Sequence, residues 1–392
     1  MIGNVPDGWR VEKLGEVCQF INGYAFKSNE FKTVGVPIVR IGNLVDDKIE
    51  LTDVICYDEN TKLEPYIVVK EDILIAMSGA TTGKIAFSNI EKKLYLNQRI
   101  GSIRVNKKIL LSKYLFNFIG GKKSYLLSLA GGSAQPNLSS GDIKKLEIPL
   151  PPLPQQEKIV KVLDISSALV EKQRLLMEKY DMFLKSKFIE MFGDPISNPM
   201  GWEVEKLGDV CISKGEYGSG ASAIEYDKNK PRYLRITDIL ESGYLSENKK
   251  SPSIIEEKYY MNKGDIVFAR SGATVGKTYL HLSDEQLLFA GYLIRFVPNQ
   301  IKINPTFLFY YTKTNFYDSW ILSKQKVVAQ PNINAKDYSA LKIYLPPITL
   351  QNKFAQIVEK IEQIKEKENK KLTHLQTLHN SLMERAFKGE IK

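Results

Sequence analysis

Apolar residues recur at threes and fours twice along this chain, each time over a long stretch with no proline or glycine. Ile159, Val162, Ile165, Leu169, Leu176, Tyr180, Phe183 and Leu184 form the first stripe. Phe354, Ile357, Ile361, Ile364, Leu372, Leu375, Leu378 and Leu382 form the second. That period predicts two amphipathic helices of about 35 residues, each roughly 50 Å long. Pro149, Pro151, Pro152 and Pro154 precede the first, and Pro346 and Pro347 the second. Proline is tolerated in a helix's first turn and rejected from its interior, so both clusters read as stiff helix starts. Gly193 and Gly389 supply the stops. An isolated stripe of this kind needs cover, and the two helices are partners of equal length. Because a folded domain lies between them, an antiparallel coiled coil is predicted, with each helix packing on its own domain as the alternative. The stretch from Lys360 to Lys371 is dense in Lys and Glu, with Glu368 at a seam position, and reads as a solvated or loosely paired stretch rather than a site.

Elsewhere the pattern changes from helical spacing to short β-branched and aromatic runs bounded by Gly, Asn and Asp. Val36 to Ile41, Ile73 to Ile75 and Ile100 to Val105 are predicted strands, as are Tyr233 to Ile236, Ile266 to Phe268 and Tyr292 to Val297. Short helical patterns at Ser112 to Phe118 and Pro305 to Thr312 interrupt them. The mixture predicts an α+β fold with curved mixed sheets rather than regular βαβ alternation.

The two halves are copies. Gly8, Trp9, Val11, Glu12, Lys13, Leu14 and Gly15 recur 193 residues later as Gly201, Trp202, Val204, Glu205, Lys206, Leu207 and Gly208. Ser78-Gly-Ala-Thr-Thr-Gly-Lys84 recurs in the same register as Ser271-Gly-Ala-Thr-Val-Gly-Lys277. Gln135-Pro-Asn137 recurs 195 residues on as Gln330-Pro-Asn332. Four segments follow: a domain at 1–150, a helix at 151–195, a second domain at 196–347 and a second helix at 348–392. A pseudo-twofold particle is the expected result.

Net charge is +10, and both domains share the excess, with 20 Lys and Arg against 16 Asp and Glu in 1–150 and 19 against 16 in 196–347. A polyanion partner fits that balance. No segment approaches the ~20 apolar residues that span a bilayer, and Met1 to Arg10 lacks the apolar run of a signal peptide, so the chain is expected to be cytoplasmic. Cys18, Cys56 and Cys211 show no CxxC spacing and read as buried small hydrophobes.

Catalytic chemistry is thin. The Gly79 to Lys84 loop has three residues between its glycines, one fewer than a phosphate-binding loop, and Ile85 follows its lysine. His374 and His379 are five apart, which does not suit a metal pair on one helix face. No metal and no cofactor is expected on this chain. Groups suited to nucleic acid are better represented. Ser78, Thr81 and Lys84, with Ser271, Thr274 and Lys277, stand on glycine-supported turns and could meet a phosphate backbone. Gln135 and Asn137, with Gln330 and Asn332, carry side chains able to pair with adenine, and Arg40 and Arg235 suit guanine. Equally, a Gln-Pro-Asn turn can serve only to cap the following helix. Asn97, Gln98 and Arg99 give way in the second copy to Ala290, Gly291 and Tyr292. The loop NGYAFKSNEF, with Tyr24 and Lys27, gives way to KGEYGSGASA, with Tyr217 and Ser219; Arg270 precedes the second serine-glycine turn. Shared residues favour scaffold, whereas divergent loops favour sequence reading.

The order domain, proline-launched helix, domain, helix, with GWRVEKLGEV, SGATTGK, AQPNLSSGDIKKLEIPLPPLPQQEKI, MFGDP, GWEVEKLGDV, SGATVGK and AQPNINAKDYSALKIYLPP, resembles the DNA-specificity subunit of type I restriction-modification systems. The likeness covers nearly the whole chain. It implies two tandem α/β target-recognition domains, each reading half of a bipartite site in double-stranded DNA. It further implies that the helices, through seam positions such as Ile159, Val162, Leu169, Leu176, Tyr180, Ile357, Ile361, Ile364, Leu375, Leu378 and Leu382, set the gap and dock methyltransferase subunits, two by expectation. Those partners would use S-adenosylmethionine and flip adenines for N6 methylation. A motor-nuclease subunit would join them for ATP-dependent cleavage. The chain itself would then be non-catalytic. A coiled-coil scaffold without DNA contact and a nucleic-acid enzyme with an unrecognised site are the competing readings.

Overall fold

A computed structural model describes residues 5–131, 136–325 and 332–391. The chain divides into two compact units, Met1–Arg174 with Lys371–Lys392, and Leu175–Lys370. The division passes through both long helices, so each unit holds one domain and part of each helix.

In the first unit the fully buried strand Ile73–Ala76 organises the core. Ile73 and Ile75 point into one apolar cluster and Leu74 and Ala76 into another, the period-two alternation of a strand covered on both faces. Ile100–Val105 and Ile85–Phe87 flank it antiparallel, and Cys18–Asn22 extends the sheet beyond Ile100–Val105. One face carries the helices Ser112–Gly120 and Lys123–Leu129 through Tyr114, Leu115, Phe118 and Leu126. The other packs on a second sheet, in which Val36–Val39 runs parallel to Leu94–Leu96. Val39, Leu94 and Leu96 face the shared core, while Ile38 and Tyr95 face an outer aromatic cluster with Tyr57.

The second unit repeats this plan. Strand Ile266–Ala269 sends Ile266 and Phe268 towards the helices Pro305–Tyr311 and Asn315–Gln325, and Val267 and Ala269 towards the pair Arg232–Leu234 and Leu287–Phe289. The predicted strands and short helices are all present, within one or two residues of their expected ends. The thiols of Cys18 and Cys211 are pushed up to about 12 by burial, in keeping with inert hydrophobes.

The long helices span Leu153–Phe192 and Ile348–Phe387, forty residues each. Within the first unit, Gln155 Nε2 donates to the Ile391 carbonyl, and Ser166 Oγ lies 2.8 Å from His379 Nδ1. Within the second, Lys365 Nζ donates to Asp181 at 2.6 Å and Phe188 packs edge-on against Phe354. As residue numbers rise on one helix they fall on its neighbour, so the pairing in each unit is antiparallel.

The seam differs from the predicted stripe. The buried helix positions in the first unit are Gln156, Ile159, Leu163, Ser166 and Gln173 with Ala386, and in the second Leu184, Phe188 and Phe192 with Gln351, Phe354, Val358 and Lys365. Tyr180, Ile361, Leu375 and Leu382 are half-buried along the same line, and Ile357 packs partly against the second core. Leu169, Ile364 and Leu378, expected on the seam, are exposed, as are Ile165 and Phe183. Val162 and Leu176 flank it, half-buried. Polar residues occupy several heptad positions, so following apolar residues alone drifts one position off the buried line.

Gln156 and Gln351, 195 residues apart, fasten each helix start to its domain. Gln156 Oε1 accepts from Leu111 N, and its Nε2 donates to the carbonyls of Ile109 and Pro151, all at 2.8 Å. Gln351 accepts from Asn304 N and donates to the Pro346 carbonyl, both at 2.8 Å. Both side chains are buried, and each satisfies a carbonyl of its proline cluster together with backbone groups of the domain that would otherwise lack partners.

Candidate nucleic-acid interface

Four chain passages meet side by side in the first unit. Tyr24 N donates to Leu96 O and Gln98 N to Tyr24 O, both at 2.8 Å. Met77 N donates to Arg99 O at 2.9 Å, Leu138 N to Met77 O at 2.8 Å, and Ser78 bridges Asn137. Segments 23–24, 97–99, 77–79 and 136–138 thus form one ridge from four distant parts of the sequence. The second unit builds the same ridge. Ser219 N donates to Phe289 O at 2.9 Å, Gly291 N to Ser219 O at 2.7 Å, Arg270 N to Tyr292 O at 3.1 Å and Ile333 N to Arg270 O at 2.8 Å, and Ser271 bridges Asn332.

Glycine makes the close approach possible. A Cβ on Gly23 would lie 2.0 Å from Asn97 O, and one on Gly218 would lie 2.4 Å from Ala290 O. The turns beside the ridge rest on glycines with left-handed backbone, Gly79 and Gly83 in one unit and Gly272 and Gly276 in the other. The amides of Gly79, Thr82, Gly83 and Lys84 all donate to protein carbonyls. The loop is therefore a packed turn rather than a phosphate cradle. Thr82, not Thr81, does the internal bonding, through Oγ1 to the carbonyls of Gly79 and Pro136.

The predicted site residues separate into those presented on the ridge and those held within the protein. Gln98, Arg99, Asn137 and Thr81 are exposed in the first unit, and Ser78 is half-buried. In the second, Tyr217 and Asn332 are exposed and Arg270 and Ser271 half-buried. The Arg270 guanidinium lies 4.8 Å from the Tyr217 ring centroid and its Nε donates to Asn332 Oδ1 at 3.2 Å. The Tyr217 hydroxyl in turn accepts from Ala335 N at 3.1 Å. Lys27 is exposed and sits 3.4 Å from Glu30. Gln135 and Gln330 lie outside the described residues.

Five candidates are better accounted for as scaffold. Ser219 is buried, and its Oγ accepts from Ala221 N at 3.1 Å. Arg235 forks onto the buried carboxylate of Asp238, with its Nε at 3.0 Å from Oδ2, and fixes the turn that Asp238 ends. Lys277 is 2.9 Å from the exposed carboxylate of Glu241, with its own side chain only 19% exposed, so it is already paired within the protein. Thr274 Oγ1 donates to Ser271 O at 3.2 Å. Tyr24 packs against Phe26 and Tyr66 with ring centroids 5.0 and 5.1 Å away. In the first unit Asn43 stands where Asp238 stands in the second. Arg40, the partner of Arg235 in the repeat, therefore has no carboxylate within 4 Å among the described residues. Lys84 is half-buried beside a cleft of about 830 Å³ that Asp47, Lys122, Lys123 and Lys388 also line.

Sequence reasoning misses Tyr292, the residue in place of Arg99: it is 63% exposed on the ridge and hydrogen-bonded through its backbone to Arg270. A tyrosine following Gly291 at the head of the run Leu293–Phe296, where the first copy has arginine, is the signal that could have marked it. Among the described residues no cluster of three or more His, Cys, Asp or Glu could hold a metal ion, and no helix is long and apolar enough to cross a membrane.

The family model for the type I restriction modification DNA specificity domain matches residues 6–176 and again 199–375. The chain is 24% identical to the type I restriction enzyme EcoBI specificity subunit of Escherichia coli, over 99% of this chain and 87% of that one. It is 25% identical to the StySPI specificity subunit of Salmonella potsdam, over 99% and 90%. Among solved structures, the S subunit of a type I restriction-modification system from M. genitalium superposes with a TM-score of 0.54 at 16% identity, over 98% of this chain and 96% of that one. A chain from a study of complex assembly and conformational transition of the type I system gives 0.57 at 20% identity, over 99% of both.

Proposed function

Because the chain belongs to the type I restriction-modification DNA specificity family and carries its domain twice, we propose that each ridge reads one half of a bipartite site in double-stranded DNA. The observation that carries this reading is the repetition of the ridge. Four separate segments converge in each unit, through the same backbone bonds, and differ in the side chains they display. A shared backbone with divergent side chains is what two readers of different sequences require, since phosphate contacts position a protein while base contacts specify.

The forty-residue helices act in this proposal as the spacer that fixes the gap between half-sites. The exposed apolar residues beside the seam, Ile165 and Leu169 in one unit and Phe183 in the other, suit docking of methyltransferase subunits, one to each unit. Those subunits bring S-adenosylmethionine and the adenine chemistry; a motor-nuclease subunit completes the restricting complex. This chain supplies recognition and no reacting group.

Two assays on the full-length chain test the proposal. DNA binding, with methyltransferase partner present, weakens as salt rises, with log K falling linearly against log salt concentration. Adenine methylation requires both chains. Methylation by this chain alone, or binding indifferent to salt, overturns the reading.

A further inference from the structure

The arginines separate the two readers. Of the ten in the chain, seven have a carboxylate within 4.0 Å. Arg40, Arg99 and Arg270 have none among the described residues, and the last two stand on the ridge. They do so at the same backbone hydrogen bond. In the first unit the bond joins Met77 N to Arg99 O; in the second it joins Arg270 N to Tyr292 O. Met77 corresponds to Arg270 and Arg99 to Tyr292, each 193 residues on. Each ridge thus carries one arginine at this bond, on opposite strands.

We infer that Arg99 and Arg270 are specificity-determining residues that each read a guanine in the major groove, one in each half-site; this rests on the two-reader proposal above. Arginine is the side chain best matched to guanine, whose O6 and N7 accept two parallel bonds from one guanidinium. Arg270 is held for that task. The Tyr217 ring lies 4.8 Å from its guanidinium carbon and Asn332 takes Nε, which leaves both terminal nitrogens without a protein acceptor among the described residues. A fixed plane adds little to a phosphate contact, which needs only charge, but sets the direction of a bidentate pair. The strand exchange argues the same way. Phosphate contacts carry no sequence information, so nothing favours moving one across the ridge between copies, whereas a base contact moves with the sequence read.

The test is adenine-methylome sequencing in a host free of other adenine methylation, with the full chain and its methyltransferase partner co-expressed. The wild type is expected to give a split motif with a G·C pair specified in each half. Arg270→Ala should leave one half-site degenerate at one G·C position, discrimination there falling by about 5- to 100-fold, with the other half unchanged. Arg99→Ala should do the same in the opposite half. Arg270→Lys and Arg99→Lys keep the charge and lose the fork. They should relax the same positions, and they carry the test if an alanine variant fails to accumulate. An unrelaxed motif in either lysine variant overturns the assignment. So does weaker methylation of an unchanged motif with a salt slope shallower by about one, the signature of a phosphate contact. A continuous wild-type motif would instead sink the two-reader proposal itself.

Discussion

At the residue scale, two glycines allow the ridge passages to approach. Gly23 and Gly218 are repeat-equivalent positions at which any side chain would meet a neighbouring carbonyl. Gly23→Ala is expected to cost about 1–3 kcal/mol of stability through forced separation of the passages. Gly42→Ala, where no atom lies within 4 Å of the added carbon, should leave the urea midpoint nearly unchanged. Equal midpoints for the two variants would contradict the close-approach argument. His379 offers a pH test. Burial lowers its pKa below the ordinary 6.5, and it lies against Ser166 in the seam. The folded state therefore favours the neutral ring, so this contribution is complete above pH ~6.5 and is lost as pH falls through the lowered value. His281 shifts the same way through burial. Comparing urea unfolding at about pH 7.5 and 5.5, wild type should lose stability on acidification, and His379→Gln should lose less of it. An identical loss in both would remove His379 from the account. The sequence named most of the ridge residues but could not tell reader from scaffold. Lys277 and Arg235 read as free cations until Glu241 and Asp238 are seen beside them, and those pairings depend on turns that no periodicity announces.

At the element scale, the long helices were legible in length, start and stop, because proline, glycine and an apolar period all act locally. Their buried line was not. Ser166, Gln173, Lys365 and His379 stand on the seam where an apolar residue was expected, and each needs a tertiary partner to be tolerated there. Gln156 and Gln351 are the sharpest case, since polar residues in a helix's first turn look like solvent-facing caps. Gln156→Leu keeps the volume and strands the Leu111 amide and two carbonyls. A loss of about 1–3 kcal/mol is expected by thermal or urea unfolding, and a similar loss for Gln351→Leu. If both substitutions prove neutral, the helices are not fastened to their domains in this way. The strands were legible because Ile73–Ala76 and Ile266–Ala269 are apolar on both faces. The parallel pairing of Val36–Val39 with Leu94–Leu96, across more than fifty residues, was not, since no local signal sets it.

At the scale of the whole molecule, tandem duplication yields two units with the same plan and different surfaces, and each unit contains part of both long helices. If the helices are a spacer, their length and the identity of the half-sites are independent properties. Removing one heptad from the middle of each preserves the seam's repeat and shortens each helix by about 10 Å, the rise of roughly three base pairs. The expected methylated motif keeps both half-sites and loses about that much gap. Altered half-sites with an unchanged gap would refute the spacer. The central claim, that one chain holds two separate readers, is tested most directly by the methylome of cells expressing the unaltered chain with its methyltransferase partner. The account predicts a single adenine-methylated motif split into two short specified halves by a gap of fixed length. One continuous motif, or a split motif with variable spacing, would contradict it.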